Sequence, residues 1–193
     1  MTKLPHFAED GWCYFLTSTT CNRKPIFMDD KYAQILCNIM YNLRRKDKMF
    51  LLGFVIMPEH LHLLIVPAKS VKIAWIMQEI KKGSARLINK DRRSRAQGRA
   101  RLPDAESCRN RYSESSLTPN KVWMDEYYDY VIRNEADLMK HLNYIFYNPV
   151  KRGLVESAEE YVWSSAHPTF ENDLEKLMSG SGTNTITRHK IEQ

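Results

Sequence analysis

The sequence has few of the features that mark secreted or membrane-spanning proteins. Its 193 residues include only four cysteines, Cys13, Cys21, Cys37 and Cys108, and none of them forms a Cys-x-x-Cys pair. Widely spread cysteines in an unsecreted chain are typical of free thiols rather than of a disulfide framework or a zinc ribbon. No apolar run reaches the roughly 18 residues that a spanning helix needs, and the N-terminal segment lacks an apolar stretch with a cleavage site. We therefore expect a protein of the reducing cytoplasm.

Acidic residues are scarce in one part of the chain. The sequence has 29 Lys and Arg against 23 Asp and Glu, which gives a net charge of +6. Between residues 81 and 101 the only acid is Asp91. Such a basic cluster attracts polyanions, of which nucleic acid is the commonest, although a solvated helix face is the alternative. The basic residues of the cluster are Lys81, Lys82, Arg86, Lys90, Arg92, Arg93, Arg95, Arg99 and Arg101.

Hydrophobic periodicity divides the chain into strands and helices. Pro58 and Glu59 fall between two apolar runs and predict a tight antiparallel hairpin. Asp29 or Asp30 and Asn134 are candidate helix caps. The predicted strands are residues 11–20, 49–57, 61–67 and 122–132. The predicted helices are residues 29–48, 71–90 and 134–149, and the last of them should stop at Pro149. On the second helix, the side chains expected to face the core are those of Ile73, Ile76, Met77, Ile80 and Leu87.

The order of these elements predicts the fold class. The order β-α-β-β-α-β-α is that of a ferredoxin-like α+β sandwich, in which helices pack on one face of an antiparallel sheet. Residues 91–121 are rich in Arg and Ser and nearly devoid of aliphatic side chains, so they predict a long, flexible, basic loop. With its C-terminal extension, one domain is expected to span residues 1–178, followed by a disordered tail over 179–193.

Two histidines interrupt the most apolar segment, FVIMPEHLHLLIVP, at residues 54–67. His60 and His62 are two positions apart on a predicted strand, so their side chains leave the same face. Two adjacent imidazoles suit a single divalent cation. The alternative is a pair of partly buried histidines with hydrogen-bonded ring nitrogens, and the pattern alone leaves both open. Glu59 can join the pair through the turn, although strict alternation directs it away.

A second polar group is expected on the third helix, in HLNYIFYNPVKRG. Tyr144 and Asn148 are four positions apart and share a face, with His141 one turn before Tyr144. A tyrosine beside a metal-ligating amide suits phosphoryl transfer, in which the phenol oxygen attacks phosphorus and a metal stabilises the charge on the phosphate. An ordinary half-buried aromatic residue is the alternative for Tyr144, because other tyrosines, Tyr147 among them, lie nearby.

Three segments occur together in a characteristic order: VIMPEHLHLLI, then VWMDEYYDYVIRNEADLMKHLNYIFYNPVKRGLV, then YVWSSA. From about Gly11 to Ala166 the chain resembles single-tyrosine transposases of the HUH (His-hydrophobe-His) class, and within them the REP-associated tyrosine transposases of bacteria. The resemblance implies a ferredoxin-like fold and a metal held by two histidines and a polar helix residue. It also implies a tyrosine that becomes linked to the 5′ phosphate of cut single-stranded DNA.

The resemblance also implies roles for individual residues. His60 and His62 match the histidine pair, Tyr144 matches the nucleophile, and Asn148 falls where a third ligand to Mg²⁺ or Mn²⁺ is expected. The expected DNA partner is a hairpin-forming, REP-like palindromic repeat with a short single-stranded guide sequence beside it. Trp123 and Trp163 are expected in the core rather than stacked on bases. The candidate phosphate contacts are Lys81, Lys82, Arg86, Arg92, Arg93 and Arg95.

The expected function is therefore a metal-dependent endonuclease and strand-transferase, a nucleoid-associated transposase that cuts single-stranded DNA at repeat hairpins. A 5′-phosphotyrosine intermediate keeps the phosphodiester energy, so rejoining needs no ATP. One alternative is a sequence-specific hairpin-binding protein that does not cleave. Another is a metal-dependent phosphoesterase that uses activated water. The site residues can all come from one chain, which favours a monomer over a homodimer.

Overall fold

The described part of the chain folds into a four-stranded antiparallel sheet flanked by three α-helices. A computed structural model describes residues 12–99 and 121–174 of the chain. The strands lie in the order β2-β3-β1-β4, and the α+β architecture predicted from the sequence is confirmed. Within the described ranges, none of the helices combines the length and the hydropathy that a bilayer crossing requires. The elements are β1 (Tyr14–Thr19), α1 (Asp30–Arg45), β2 (Met49–Met57), β3 (His60–Pro67), α2 (Ile73–Arg99), β4 (Tyr128–Val131) and α3 (Glu135–Lys151).

The β2–β3 hairpin forms the apolar centre of the sheet. Met57 pairs with His60 across the turn made by Pro58 and Glu59, as the sequence predicts. On its other side β3 pairs with β1, which places Thr17 opposite His62. Every residue of β3 is buried, so the strand has no solvent-facing side.

Helices cover both faces of this sheet. The side of β3 that carries Leu61 and Leu63 packs under α1 and α2, and the side that carries Leu64 and Val66 packs under α3. The structure thus corrects one detail of the prediction, which placed all helices on one face. The physical reason is that the central hairpin is apolar on both faces, and each face must be removed from water.

Helix α2 packs on α1 and runs further than its hydrophobic pattern indicates. Ile76 and Ile80 are fully buried, as expected for its inward face. Leu87, which was expected to point inward, is 38% exposed, and Ile88 occupies the buried position instead. The helix continues past its predicted end at Lys90 and reaches Arg99.

Ion pairs with the first turn of α1 hold the C-terminal part of α2. Asp91 pairs with Lys31 and accepts a hydrogen bond from the Tyr32 hydroxyl at 3.1 Å. Arg95 pairs with Asp91 at 2.6 Å and with Asp29 at 2.9 Å. These contacts hold residues 91–99 as helix, where the sequence predicted a loop. The rest of that predicted loop, residues 100–120, and the predicted tail lie outside the described residues.

Helix α3 begins at its predicted cap and ends later than predicted. The Asn134 side chain accepts a hydrogen bond from the Asp137 amide at 2.9 Å. The predicted stop at Pro149 is wrong, because the helix continues to Lys151. A proline in the last turn removes only one backbone donor. The Arg152 amide still bonds the Asn148 carbonyl, and Gly153 then turns the chain away at φ +66°.

The segment that follows α3 covers the free edge of β2. Residues 163–173 make backbone hydrogen bonds along this edge strand, which otherwise would offer unpaired groups to another chain. The Asp173 carboxylate anchors the segment through two 2.8 Å contacts with the Arg44 guanidinium. The bonds along the edge join the Ile56 amide to the Trp163 carbonyl, the Ser165 amide to the Phe54 carbonyl and the Asp173 amide to the Leu51 carbonyl.

The two tryptophans considered for base stacking are packed within the protein. Trp123 is 4% exposed and donates its indole N–H to Ser84 Oγ at 2.9 Å. Trp163 is partly buried against the α1 side of the core and donates to Asp30 at 2.8 Å. The expected core position is confirmed for Trp123, whereas Trp163 packs against the core and stays partly exposed.

Candidate active site

His60 and His62 lie side by side on β3 and face α3. Their ring centroids are 4.6 Å apart and the rings meet edge to face at 75°. The two residues are only 9% and 5% exposed. The predicted placement of both imidazoles on one face is confirmed.

The two ring nitrogens of His62 differ in the contacts they make with the described residues. Nδ1 shares a hydrogen bond with Thr17 Oγ1 at 2.8 Å, and the ring stacks on Phe15 at a centroid distance of 5.3 Å. Nε2 is buried and has no hydrogen-bond partner among the described residues. Leaving a buried polar atom unpaired costs about 1–3 kcal/mol. Among the described residues His62 is therefore not a core histidine with both nitrogens satisfied, and its Nε2 is available as a donor to a bound group.

His62 also has the charge state that ligation requires. Burial, followed by the nearby charge of His60, lowers the pKa of His62 to about 3. The ring is therefore neutral at physiological pH, and its lone pair is not lost to a proton. A metal-binding imidazole must be neutral in this way.

His60 is oriented by the turn residue beside it. Its Nδ1 lies 3.1 Å from Glu59 Oε1, and Glu59 is also bonded to the Arg152 guanidinium at 2.7 Å. Burial lowers the pKa of His60, although the Glu59 charge opposes this. Burial by itself would raise the pKa of Glu59, but its bonds to Arg152 and His60 lower it below the ordinary value. The structure thus gives Glu59 an ionised carboxylate that reaches back to the histidine pair.

Tyr144 approaches the histidine pair from α3. Its ring centroid lies 5.1 Å from that of His62 in an edge-to-face contact at 71°. The tyrosine is 41% exposed, so a ligand can reach it from solvent. Asn148, one helical turn later, is 7% exposed and lies on the buried side of the helix. Tyr147 is 51% exposed. Histidine and tyrosine therefore meet within a single chain.

A ring cluster that the sequence did not predict supports this corner of the sheet. Phe15 of β1 contacts the rings of His62, His141 and Tyr144. His141 in turn stacks on Tyr130 at 4.9 Å and bonds through Nδ1 to the Asp137 carbonyl at 2.8 Å. Alternation along β1 places Phe15 and Thr17 on one face, but only the pairing of β1 with β3 brings that face to His62.

The donor set at this corner fits a divalent cation. It offers two neutral imidazoles, one of which has a buried nitrogen that no described residue bonds. In the described part of the chain no group of three His, Cys, Asp or Glu residues could hold a metal. The amide oxygen of Asn148 is a suitable type of donor.

The six basic residues named as DNA contacts differ in what they touch. Lys81 is half-buried and donates to the backbone carbonyls of Asp125 and Glu126, and burial lowers its pKa. Arg95 is committed to the ion pairs with α1, and Arg92 lies over the Tyr32 ring at 5.6 Å. The exposed members without an ion-pair partner among the described residues are Lys82, Arg86 and Arg93.

Known proteins resemble this chain in both sequence and fold. Residues 11–102 match the family model described as "Transposase IS200 like". A "Putative REP-associated tyrosine transposase" of Haemophilus influenzae is 32% identical over 158 residues, which cover 81% of each chain. The REP-associated tyrosine transposase of Escherichia coli is 23% identical over 168 residues, with 86% of this chain and 84% of the relative covered.

A solved structure shares the fold. It is a REP-associated tyrosine transposase bound to a REP hairpin, and it superposes with a TM-score of 0.62 at 23% identity, covering 86% of this chain and 84% of that one. The family model and the relatives define the class of this protein as a transposase, an enzyme that processes DNA. Within that class, the chain belongs to the family of REP-associated tyrosine transposases.

Proposed function

We propose that this protein is a metal-dependent endonuclease and strand-transferase that cuts single-stranded DNA at repeat hairpins through a 5′-phosphotyrosine intermediate. The observation that carries the proposal is the contact between Tyr144 and His62, whose ring centroids are 5.1 Å apart. It joins an exposed phenol to an imidazole whose buried Nε2 has no partner among the described residues. A nucleophile beside a cation-binding group is what phosphoryl transfer to a tyrosine requires.

Three residues would hold the cation. His60 and His62 offer ring nitrogens and Asn148 offers an amide oxygen to Mg²⁺ or Mn²⁺. When bound, the ion supplies Lewis-acid stabilisation of the charge that develops on the scissile phosphate. The protein keeps both imidazoles neutral by burying them, and it fixes their orientation through Thr17 and Glu59.

Tyr144 supplies the nucleophile. Its phenol oxygen forms a bond to phosphorus while the bond between phosphorus and the 3′ oxygen breaks. The phenol proton leaves to solvent and the departing 3′ oxygen takes up a proton, so the products are a free 3′ hydroxyl and a 5′-phosphotyrosine. The Lys151 ammonium lies 5.8 Å from the centre of the Tyr144 ring, within the range of a cation–π contact. Attack by a second 3′ hydroxyl reverses the chemistry and joins two DNA ends.

The basic face of α2 is proposed to hold the hairpin. Lys82 and Arg86 are exposed and one turn apart, and Lys82 borders a groove of about 430 Å³ between α2 and residues 121–127. Helix α2 and the Tyr144 helix lie on opposite faces of the sheet. These residues would therefore contact the phosphates of the duplex stem rather than the scissile phosphate. The solved relative, which is bound to a REP hairpin, supports a hairpin as the substrate.

The direct test is the search for a covalent adduct. Single-stranded oligonucleotides carrying a palindromic repeat from beside the gene are labelled at the 3′ end and incubated with the protein and Mn²⁺. We expect a labelled species that survives a denaturing gel and is lost on proteolysis, and we expect EDTA to prevent it. Cut DNA without an adduct would instead support an activated-water phosphoesterase. Hairpin binding without any cleavage would support the non-cleaving alternative.

Replacing Lys82 and Arg86 together by Gln is expected to weaken hairpin binding to a similar degree for different sequences. Each lost phosphate contact should reduce the slope of log affinity against log salt by about 1, hence by about 2 for the pair. The matched control replaces Arg45 and Lys46, two exposed basic residues at the end of α1, by Gln. Binding titrations at several salt concentrations measure these slopes. Equal slopes in the two double variants would contradict the assignment.

A further inference from the structure

The buried carboxylate of Glu59 joins the β2–β3 hairpin, which carries the histidines, to the end of α3. Glu59 lies in the turn between β2 and β3, and its Oε1 is 3.1 Å from His60 Nδ1. The same oxygen is 2.7 Å from Arg152 Nη1, and Oε2 is 3.4 Å from Arg152 Nη2. His60 belongs to β3 and Arg152 to the end of α3. Glu59 and Arg152 are 93 positions apart in the chain.

Arg152 is attached to the candidate metal ligand on α3 through its backbone. It is the C-terminal cap of the helix, and its amide donates to the Asn148 carbonyl at 3.1 Å. Its side chain is 47% exposed, whereas that of Glu59 is 9% exposed. The arginine thus extends from the end of α3 to the carboxylate of Glu59, which is nearly inaccessible to solvent. Removing one member of such a pair leaves an uncompensated charge in the protein.

The contacts of Glu59 determine how His60 is presented. Glu59 Oε1 accepts from Arg152 Nη1 at 2.7 Å, so the same oxygen is placed to accept the Nδ1–H of His60 at 3.1 Å. The other ring nitrogen, Nε2, then carries the lone pair. Carboxylates that accept from metal-binding histidines fix the tautomer and the ring orientation in this way. The Arg152 guanidinium bonds both oxygens of this carboxylate and so fixes its orientation, while its backbone caps the last turn of α3.

We infer that Glu59 and Arg152 are positioning residues of the cleavage reaction. Glu59 holds His60 with Nε2 directed to the cation site, and Arg152 keeps the end of α3 in register with the histidine hairpin. Both residues act through the groups they hold rather than on the reacting atoms. The inference rests on the proposed function, because it assigns these residues to the metal and tyrosine chemistry of that site.

The tautomer of His60 tests the role of Glu59 without metal or DNA. Long-range ¹H–¹⁵N spectra of the histidine rings are expected to show the proton of His60 on Nδ1 in the wild-type protein. Glu59→Ala removes the acceptor and is expected to move the proton, wholly or in part, to Nε2. Glu59→Gln keeps an acceptor oxygen and is expected to preserve the wild-type tautomer. A wild-type His60 protonated on Nε2 would overturn this part of the inference.

Measurements of metal affinity and of cleavage rate distinguish the role of Glu59 from that of Arg152. Glu59→Ala is expected to weaken Mn²⁺ binding about 10- to 100-fold, with partial rescue in Glu59→Gln. Arg152→Met is expected to change Mn²⁺ affinity less and to lower the single-turnover cleavage rate about 10- to 100-fold, because misplacement of the nucleophile is costly. Arg152→Lys keeps the charge and should recover part of that rate. Hairpin affinity should stay at the wild-type level in all four variants.

Arg45→Met is the matched control, since Arg45 is an exposed arginine in the last turn of α1. It should leave Mn²⁺ affinity and cleavage unchanged. A purely structural ion pair would lower the melting temperatures of the Glu59 and Arg152 variants but leave Mn²⁺ affinity and cleavage at the wild-type level below those temperatures. That result would overturn the positioning role. If the wild-type protein forms no DNA adduct, the proposed function fails, while the tautomer still decides the role of Glu59.

Discussion

Tyr144→Phe is expected to abolish the protein–DNA adduct and to lower strand cleavage by at least about 10³-fold, because it removes only the attacking oxygen. The ring contacts with His62 at 5.1 Å and Phe15 at 5.9 Å do not involve the hydroxyl. Folding and hairpin binding should therefore persist. Adduct formation on denaturing gels and hairpin affinity from titration are the two measurements, and a loss in the first without a loss in the second is the expected result.

Tyr147→Phe is the matched control for this experiment. Tyr147 lies three positions later on the same helix and is more exposed, at 51% against 41%. Both variants lose one phenol oxygen from α3, so they differ only in position. Tyr147→Phe should cleave DNA and form the adduct as the wild type does. An adduct that persists in Tyr144→Phe and disappears in Tyr147→Phe would show that the nucleophile is misassigned.

His62→Leu is expected to eliminate the response to Mn²⁺ while leaving the fold nearly as stable as before. The substitution loses the hydrogen bond to Thr17, but it also removes a buried nitrogen that has no partner among the described residues. These effects are of similar size and opposite sign, so the free energy of unfolding without metal should stay within about 1 kcal/mol of the wild type. Cleavage should fall at least about 100-fold, because Lewis-acid stabilisation is worth several kcal/mol.

Thermal unfolding with and without Mn²⁺ measures this prediction independently of cleavage. Mn²⁺ at 100 times its dissociation constant should stabilise the wild-type protein by about 2.7 kcal/mol. It should not stabilise His62→Leu. His167→Leu, at a partly exposed histidine outside the site, should keep the wild-type response. A marked loss of stability in His62→Leu, with the Mn²⁺ response intact, would instead identify His62 as an ordinary core histidine.

The features predicted correctly from the sequence depend on residues close together in the chain. Period-two alternation puts His60 and His62 on one face of a strand. One helical turn separates Tyr144 from Asn148, and Asn134 caps the helix that carries them. Each of these relations involves neighbours within a few positions. Sequence reasoning is therefore sufficient for them.

The misplaced end of α2 and the missed Glu59–Arg152 pair involve contacts between distant segments. Helix α2 continues to Arg99 because Asp91 meets Lys31 and Tyr32, and the Tyr32–Asp91 bond spans 59 positions. The local composition of residues 91–99 does not predict that Lys31 and Tyr32 contact Asp91. The Glu59–Arg152 pair spans 93 positions and is equally invisible to periodicity.

The sequence by itself determined the helices and strands in outline, the shared face of the two histidines, the candidate nucleophile and, through its motifs, the transposase family. The tertiary structure decided that Tyr144 contacts His62, that α3 covers the second face of the sheet, and which lysines and arginines are already held by other residues. The physical reason is that the side-chain periodicity of helices and strands relates residues only a few positions apart. Burial and ion pairing instead join segments that are distant in the chain and that the packed sheet brings together.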